Sequence, residues 1–486
     1  MSLLDTPEAQ ALLADAVVTP PIVAGCQERL TEFLERYLPL FYRTEQRELA
    51  TLVIQGKLSN LERKTSEPIA YRVDRPRKPV QHFVGAGLWD DEKIMAELRC
   101  HVGEELGDAD GIFIVDGSAF PKKGTESCGV DRQWCGRLGK LENCQVGVFL
   151  AYASRKGHAP LDGRLYLNQE WANDSVRRKK CHVPKEIVFQ EKWRIAIELL
   201  SRNLHLPHGW VTADDEFGRV TAFRLWLRRQ RQRYVVDVPA NTLARELKLQ
   251  ADGRKPPFER ADRWAARQSA ERWQTMKIRD GDKGPLRVKA LSVAVQTKDE
   301  DGRVGRSERL LVIRTLEAEP RTWYALSNSS ANIKVLVRVH SERHRVEEVF
   351  HEAKGEVGLA HYEVRSWVGW HHHMTLSFLA LWFLCQEKRR LGKKKHQPSQ
   401  CHRYERFSPA CLAVHCRPRD RSPKRLRVCS NVMRRPAFTT TTKRPATSRR
   451  DGWKIRRENG YSRTRLSLII TLDAFPDHAC ATTPRS

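Results

Sequence analysis

The sequence predicts an α/β chain: a mixed sheet with helices on its faces, carrying a β-rich insertion and preceded by a helical N-terminal domain. Three observations lead there. Two short apolar runs, Gly111-Ile-Phe-Ile-Val-Asp116 and Gly209-Trp-Val-Thr-Ala-Asp214, each end in an acid, the pattern of a buried strand with a carboxylate at the sheet's rim. Apolar residues recur at helical spacing from 27 to 43 (Leu30, Phe33, Leu34, Tyr37, Leu38, Phe41) and on to 61. The stretch from Val339 to Leu359 has no proline, and its glycines Gly355 and Gly358 come only where a helix would stop.

Taken in order, residues 1–24 are expected to be a flexible lead-in. Residues 25–108 are expected to be a helical domain with a last helix over Asp90–Glu105. Its cations Arg63, Lys64, Arg72, Arg75, Arg77 and Lys78 make it a candidate DNA-binding module, though a solvated basic face accounts for the charge equally well. Strands follow at 111–116, 145–153 and 164–167. A helix over 184–200, the strand ending at Asp214, a helix over 220–230 and a strand over 233–238 complete the set. That is the order of an RNase H-like fold, in which Asp116 ends the first strand, Asp214 ends the fourth and the first and fourth strands are neighbours. Residues 240–332, with strands at 309–314 and 322–327, are too long for a loop in a compact domain and are expected to be a β-rich insertion. The catalytic domain thus comprises 109–239 and 333–392.

The Val339–Leu359 helix carries the third acid. At about 100° per residue, His340 lies about 20° from Glu347, Arg343 about 40° and Lys354 about 20° on the same wheel. A solvated charged face is the commoner meaning of such a run, but Val346, Val349, Phe350 and Ala353 give the helix an apolar side to pack. Downstream, His371, His372 and His373 are adjacent on an apolar helix and point three ways, which favours packing or a phosphate contact over metal binding.

Composition narrows the partners. The 486 residues carry a net charge of +27, pointing to a polyanion, most simply nucleic acid. The charge is uneven: Gln386–Ser486 holds 26 Lys and Arg against 7 Asp and Glu. From 393 to 486 a basic, disordered tail is expected. Its alternatives are a DNA-contacting arm and the translation of a shifted frame. Twelve cysteines include no CxxC pair, so reduced cytosolic thiols are expected rather than a zinc site or a disulfide framework. The longest apolar run, Phe378–Cys385, is too short to span a bilayer. A cytoplasmic, nucleoid-associated protein of bacterial type without a membrane partner is expected.

Arg343-x3-Glu347-x6-Lys354, with His340 three residues before Arg343, resembles the Y-x2-R-x3-E-x6-K signature of insertion-sequence DDE transposases, His340 standing where the family has tyrosine. The run from Glu347 through Leu359 and on to Trp367 is similar to the insertion-sequence-701 group, and the resemblance extends over roughly residues 25–390. It implies catalytic and metal-ligating roles for Asp116, Asp214 and Glu347, and DNA or phosphate contacts for Arg343, Lys354 and His340. It also implies an insertion at this point of the fold, with Trp323 stacking on a base flipped out near the cut end. A buried core tryptophan is the rival account of Trp323. Three clustered carboxylates suit hard cations, Mg²⁺ or Mn²⁺, and two such ions support in-line phosphodiester displacement.

The resemblance therefore implies a transposase that binds the ends of its element, cuts them and joins 3′-hydroxyl ends to target DNA, acting as a homodimer. The alternatives are a non-catalytic DNA-binding descendant and a nuclease that cuts without joining. Asp215 and Glu216 compete with Asp214 for the ligand role; the family pattern of an acid, two residues and aromatic-Gly matches Asp214 with Phe217-Gly218. Glu348 competes with Glu347 but falls about 100° away on the wheel.

Overall fold

The computed structural model describes residues 25–393, apart from residues 137, 282–283 and 318. The lead-in and the tail beyond Lys393 lie outside the described residues.

Five helices come first: α1 (Cys26–Glu35), α2 (Thr44–Leu58), α3 (Ser66–Tyr71), α4 (Arg77–Ala86) and α5 (Asp91–Leu106). Asp90 caps α5, its side chain accepting from the Glu92 and Lys93 N–H groups. The strands β1 (Ile112–Pro121), β2 (Asp131–Cys135), β3 (Lys140–Ser154) and β4 (Gly157–Leu165) follow, then the helices α6 (Gln169–Asn173), α7 (Ser175–Lys180) and α8 (Lys192–Asn203). Next come β5 (Trp210–Ala213), α9 (Asp215–Gly218), α10 (Thr221–Arg229) and β6 (Tyr234–Asp237).

The central order is β4-β3-β1-β5-β6, antiparallel between β4, β3 and β1 and parallel between β1, β5 and β6. This is the RNase H-like arrangement expected from the element order. Ile112–Val115 and Trp210–Ala213 are buried throughout, as strands covered on both faces must be.

Three expectations are corrected. β1 does not stop at Asp116 but runs on to Pro121 against β3. The helix expected over 184–200 begins only at Lys192, and 184–191 is non-helical apart from turns. The strand expected over 164–167 runs instead from Gly157 to Leu165. One strand, β2, was not expected at all and pairs with the first residues of β3.

The insertion contributes β7 (Leu243–Glu246), β8 (Glu259–Arg260), α11 (Ala261–Ala266), β9 (Gln274–Gly281), β10 (Gly284–Lys298), β11 (Val304–Thr315) and β12 (Thr322–Ser327). It does not form a separate sheet, because β12 pairs antiparallel with β6 and the main sheet runs on through β11 and β10. Trp264, Leu291, Val293, Leu310, Val312 and Leu326 belong to a small core of its own.

Three helices close the fold: α12 (Ile333–Glu342), α13 (His344–Gly355) and α14 (Trp367–Lys393). The single helix expected over 339–359 is therefore two. Around Arg343 the bonding tightens to i→i+3, with Arg343 N–H on the His340 carbonyl and Val346 N–H on the Arg343 carbonyl. α14 packs against α2, α4, α5 and β4, so one continuous core joins the N-terminal helices to the sheet. The histidine triplet serves that packing. His372 stacks on Trp89 at 3.6 Å between ring centroids, and His373 Nε2 lies 3.0 Å from the Leu359 carbonyl. No helix among the described residues is long and apolar enough to cross a membrane.

Candidate active site

The last registered pair of the parallel strands β1 and β5 is Val115 with Ala213. Asp116 and Asp214 are the next residue on each, so their side chains leave the sheet side by side. Asp116 Oδ1 accepts from the Gly117 N–H at 2.7 Å. Asp214 caps α9, accepting from the Glu216 N–H at 3.0 Å. α9 sits hard on the end of β6: a Cβ on Gly218 would lie 1.9 Å from the Asp237 carbonyl oxygen, which is why that position must be glycine.

Glu347 enters on the first turn of α13. Its Oε1 lies 3.6 Å from Arg343 Nη2 and its Oε2 3.1 Å from His344 Nδ1. Lys354, two turns on, donates to Ser118 Oγ at 2.8 Å, and Ser118 is two residues beyond Asp116 on the same side of β1. Two of the competitors of the three acids are held by partners of their own. Asp215 pairs with Arg219 at 2.8 Å, and Glu348 pairs with Arg345 at 3.1 Å and lies 3.9 Å from His158.

The electrostatics tie these groups together. Burial, then Glu347 and Glu216, push the Asp116 carboxyl up to about 6 against the pull of Arg343. Burial, then Asp116, Glu216 and Asp215, push Asp214 up to about 8. Both residues keep some surface exposure, so like-charge crowding matters beside desolvation. Glu347 is held below the ordinary carboxylate value, chiefly by His344 and then by Arg343. Arg343 is pushed above its ordinary value because Asp237, Asp116, Glu347 and Asp214 outweigh its burial.

His340 and Trp323 lie one layer deeper. His340 is buried, with Nε2 2.8 Å from Asp237 Oδ1, so its ring faces an anion of the fold instead of open solvent. Trp323 is half-buried on β12 opposite Ile313, edge-on to His340 at 6.3 Å. Two further acids stand at the site: Glu216, the other competitor of Asp214, and Asp237. Glu216 lies 2.5 Å from Lys192 Nζ and close to Gly117. Asp237 ends β6 after Tyr-Val-Val, the same pattern of an acid at a strand's end that marks Asp116 and Asp214, and that pattern is its signal in the sequence. In the helical domain, Lys64 is buried and donates to the Lys57 and Ser59 carbonyls, which removes it from any outward basic face.

The model of the DDE superfamily endonucleases matches residues 36–285, more than half of the chain. The chain belongs to the DDE superfamily of endonucleases. The transposase DDE domain matches residues 193–383, which takes in Asp214, Arg343, Glu347 and Lys354. The chain is 30% identical over 133 residues to the "Probable transposase for insertion sequence element IS701" of Microchaete diplosiphon. That match covers 27% of this chain and 35% of the relative, so the chain spans about a third of that protein.

Membership of the DDE superfamily implies the use of a divalent metal. The donor chemistry fits a hard cation: carboxylate oxygens that repel one another until a cation neutralises them. Among the described residues, however, no three Asp, Glu, His or Cys side chains stand close enough together to hold a metal as they are. Glu347 is turned to Arg343 and His344, so ligation would require it to leave them.

Proposed function

We propose that the chain is a transposase that binds the ends of its own element, cuts DNA and joins the 3′-hydroxyl ends to a target, with Asp116, Asp214 and Glu347 as the catalytic and metal-binding acids. The observation that carries this is the convergence of Asp116 and Asp214 from adjacent parallel strands with Glu347 and Arg343 in the same field. When bound, Mg²⁺ or Mn²⁺, as two ions, would activate the attacking oxygen and stabilise the leaving one.

The chain's own residues do the rest. Asp116, Asp214 and Glu347 would hold the ions, Asp214 giving up its proton and Glu347 leaving Arg343 and His344. Arg343, released from Glu347, offers its guanidinium to a phosphate, and Lys354 beside Ser118 gives a second positive point along the same face. His340 acts as a positioning residue through Asp237 and not as a phosphate contact. The helical domain of 25–108 contributes end binding, and a homodimer would hold both ends. Trp323 takes the flipped base if excision passes through a hairpin.

The test uses duplexes from the DNA flanking the chain's own reading frame, with Mg²⁺, Mn²⁺ or EDTA, followed by a strand-transfer assay on the cut ends. Metal-dependent cutting and joining is expected. Cutting without joining would leave a nuclease, and binding without either would leave a non-catalytic descendant.

A further inference from the structure

Beyond the acids, β1 and β3 carry the sheet on to a two-stranded arm formed by β2 and the start of β3. Trp134 stands directly opposite Leu141 there. Trp134 is 59% exposed, Leu141 59%, and Leu138 in the connecting turn 45%. Contiguous exposed apolar surface marks contact sites, and the cross-strand pair Trp134–Leu141 is the apolar surface of this arm.

The arm's other face is closed at its root and carries the Lys140–Glu142 ion pair towards its tip. Cys135, Cys144 and Val146 form a small core packed by Ala119 and Tyr166, and Gln133 donates to the Gly129 and Cys144 carbonyls. The arm is therefore built to present Trp134 and Leu141 outwards.

Its direction follows from register. Asp116 pairs with Phe149, and Trp134 with Leu141, in ladders without a bulge between them. Residues two apart on a strand share a face, so 149, 147, 145, 143 and 141 point the same way. Trp134 and Leu141 thus lie on the face that carries Asp116. Eight residues of β3 separate the two levels, about 27 Å at 3.4 Å per residue, or about 8 base pairs of duplex.

The root of the arm is basic. Arg132 is exposed on the Trp134 face two residues before it. α7, reading Ser-Val-Arg-Arg-Lys-Lys, is fixed beneath it: Arg177 donates to the Thr125 and Val130 carbonyls, Lys180 pairs with Glu126, and Lys179 is exposed. An apolar tip on a cationic root complements a duplex, whose phosphates take the cations while sugars and base edges take the ring.

We propose that the β2–β3 arm is a second DNA-contact element, in which Trp134 and Leu141 engage duplex about 8 base pairs from the bond cut at the acids. Its placement relative to the cut rests on the function proposed above; its contact with DNA does not.

The experiment compares the full chain with Trp134→Ala/Leu141→Ala and with Trp134→Tyr. Hydroxyl-radical footprints are taken on duplexes flanking the reading frame, and affinity is measured on a random 40-base-pair duplex. Both side chains are exposed, so melting temperatures should match. The double variant should bind the random duplex about tenfold more weakly, the scale of one lost aromatic contact. It should also lose protection about 8 base pairs from the cut while protection at the cut persists, and Trp134→Tyr should restore both. Unchanged affinity and footprint would overturn the proposal. So would a changed sedimentation mass with an unchanged footprint, which would make the arm a contact between copies of the chain. A random-duplex loss without any footprint at the acids would keep the arm and sink the cutting centre.

Discussion

Asp237 holds Arg343 beside the acidic cluster: its Oδ2 lies 3.1 Å from Arg343 Nε, while its Oδ1 faces His340 Nε2. The contacts are close but off the ideal hydrogen-bond axis, so the pairing is mainly Coulombic. Burial alone would push the Asp237 carboxyl up; His340 and Arg343 outweigh it and hold it below its ordinary value. Arg343 is thus shared between a permanent partner, Asp237, and an exchangeable one, Glu347.

Removing the permanent partner should drive Arg343 onto the exchangeable one. Asp237→Asn is expected to slow cleavage about 10–100-fold, the scale of a lost supporting contact at a metal site, and to raise the Mg²⁺ concentration needed for half-maximal rate. Titrating metal in a cleavage assay separates this from simple unfolding, which lowers the amplitude without moving the midpoint. A variant with an unmoved midpoint would make Asp237 a stability residue only.

Asp214 should behave as a stability liability in the metal-free protein. Its folded value, about 8, lies above the unfolded value near 3.9. The folded state therefore binds more protons between those limits, and stability falls as pH rises through that window. Asp214→Asn is expected to abolish cleavage yet raise the unfolding free energy in EDTA at pH 8, by on the order of 1 kcal/mol. Mg²⁺ or Mn²⁺ should stabilise the native chain by linkage and leave the variant unmoved. Lower stability of the variant in EDTA would mean the crowding at this site is weaker than its geometry implies.

Lys57 makes the converse case away from the site. It is buried between α2 and α14, donating to Ser377 Oγ at 2.8 Å, and burial, then Lys64, pull it down to about 7. Between pH 7 and the unfolded value near 10.4 the unfolded state binds more protons, so stability rises with pH there. Below pH 7 both states are charged and the burial penalty is complete. Lys57→Met should therefore stabilise the protein at pH 6 by on the order of 1–4 kcal/mol and by less at pH 9. Urea melts at the two pH values decide it; an equal gain at both would show that Lys57 is not the titrating group.

Much of this was legible from apolar patterning. The runs at 112–115 and 210–213 are buried on both sides and contain little that could serve on a surface, and Thr322–Ser327 is a strand at the expected residues. The break at Arg343 was not legible, because no proline or glycine marks it; it comes from a local switch to i→i+3 bonding. It matters because it turns His340 towards Asp237 and off the Glu347 stripe that an unbroken wheel implies. The β2–β3 arm was hidden for another reason: its exposed face is as apolar as its buried one, which blurs the alternation that announces a strand.

Trp323 is where packing and function can be told apart. Its ring is half-buried against the main core and lies edge-on to His340 at 6.3 Å, so truncation removes a packing contact in either case. A purely structural tryptophan would disturb His340, Asp237 and Arg343 together, and every chemical step would slow alike. A base-stacking tryptophan contributes roughly 1–3 kcal/mol only when a base leaves the duplex, which itself costs a few kcal/mol. Trp323→Ala is therefore expected to spare first-strand nicking within about twofold and to slow hairpin formation about tenfold or more. An abasic nucleotide at the flipped position should recover part of that loss, because no base then needs a platform. Equal slowing of nicking and hairpin formation, with no abasic rescue, would assign Trp323 to the core.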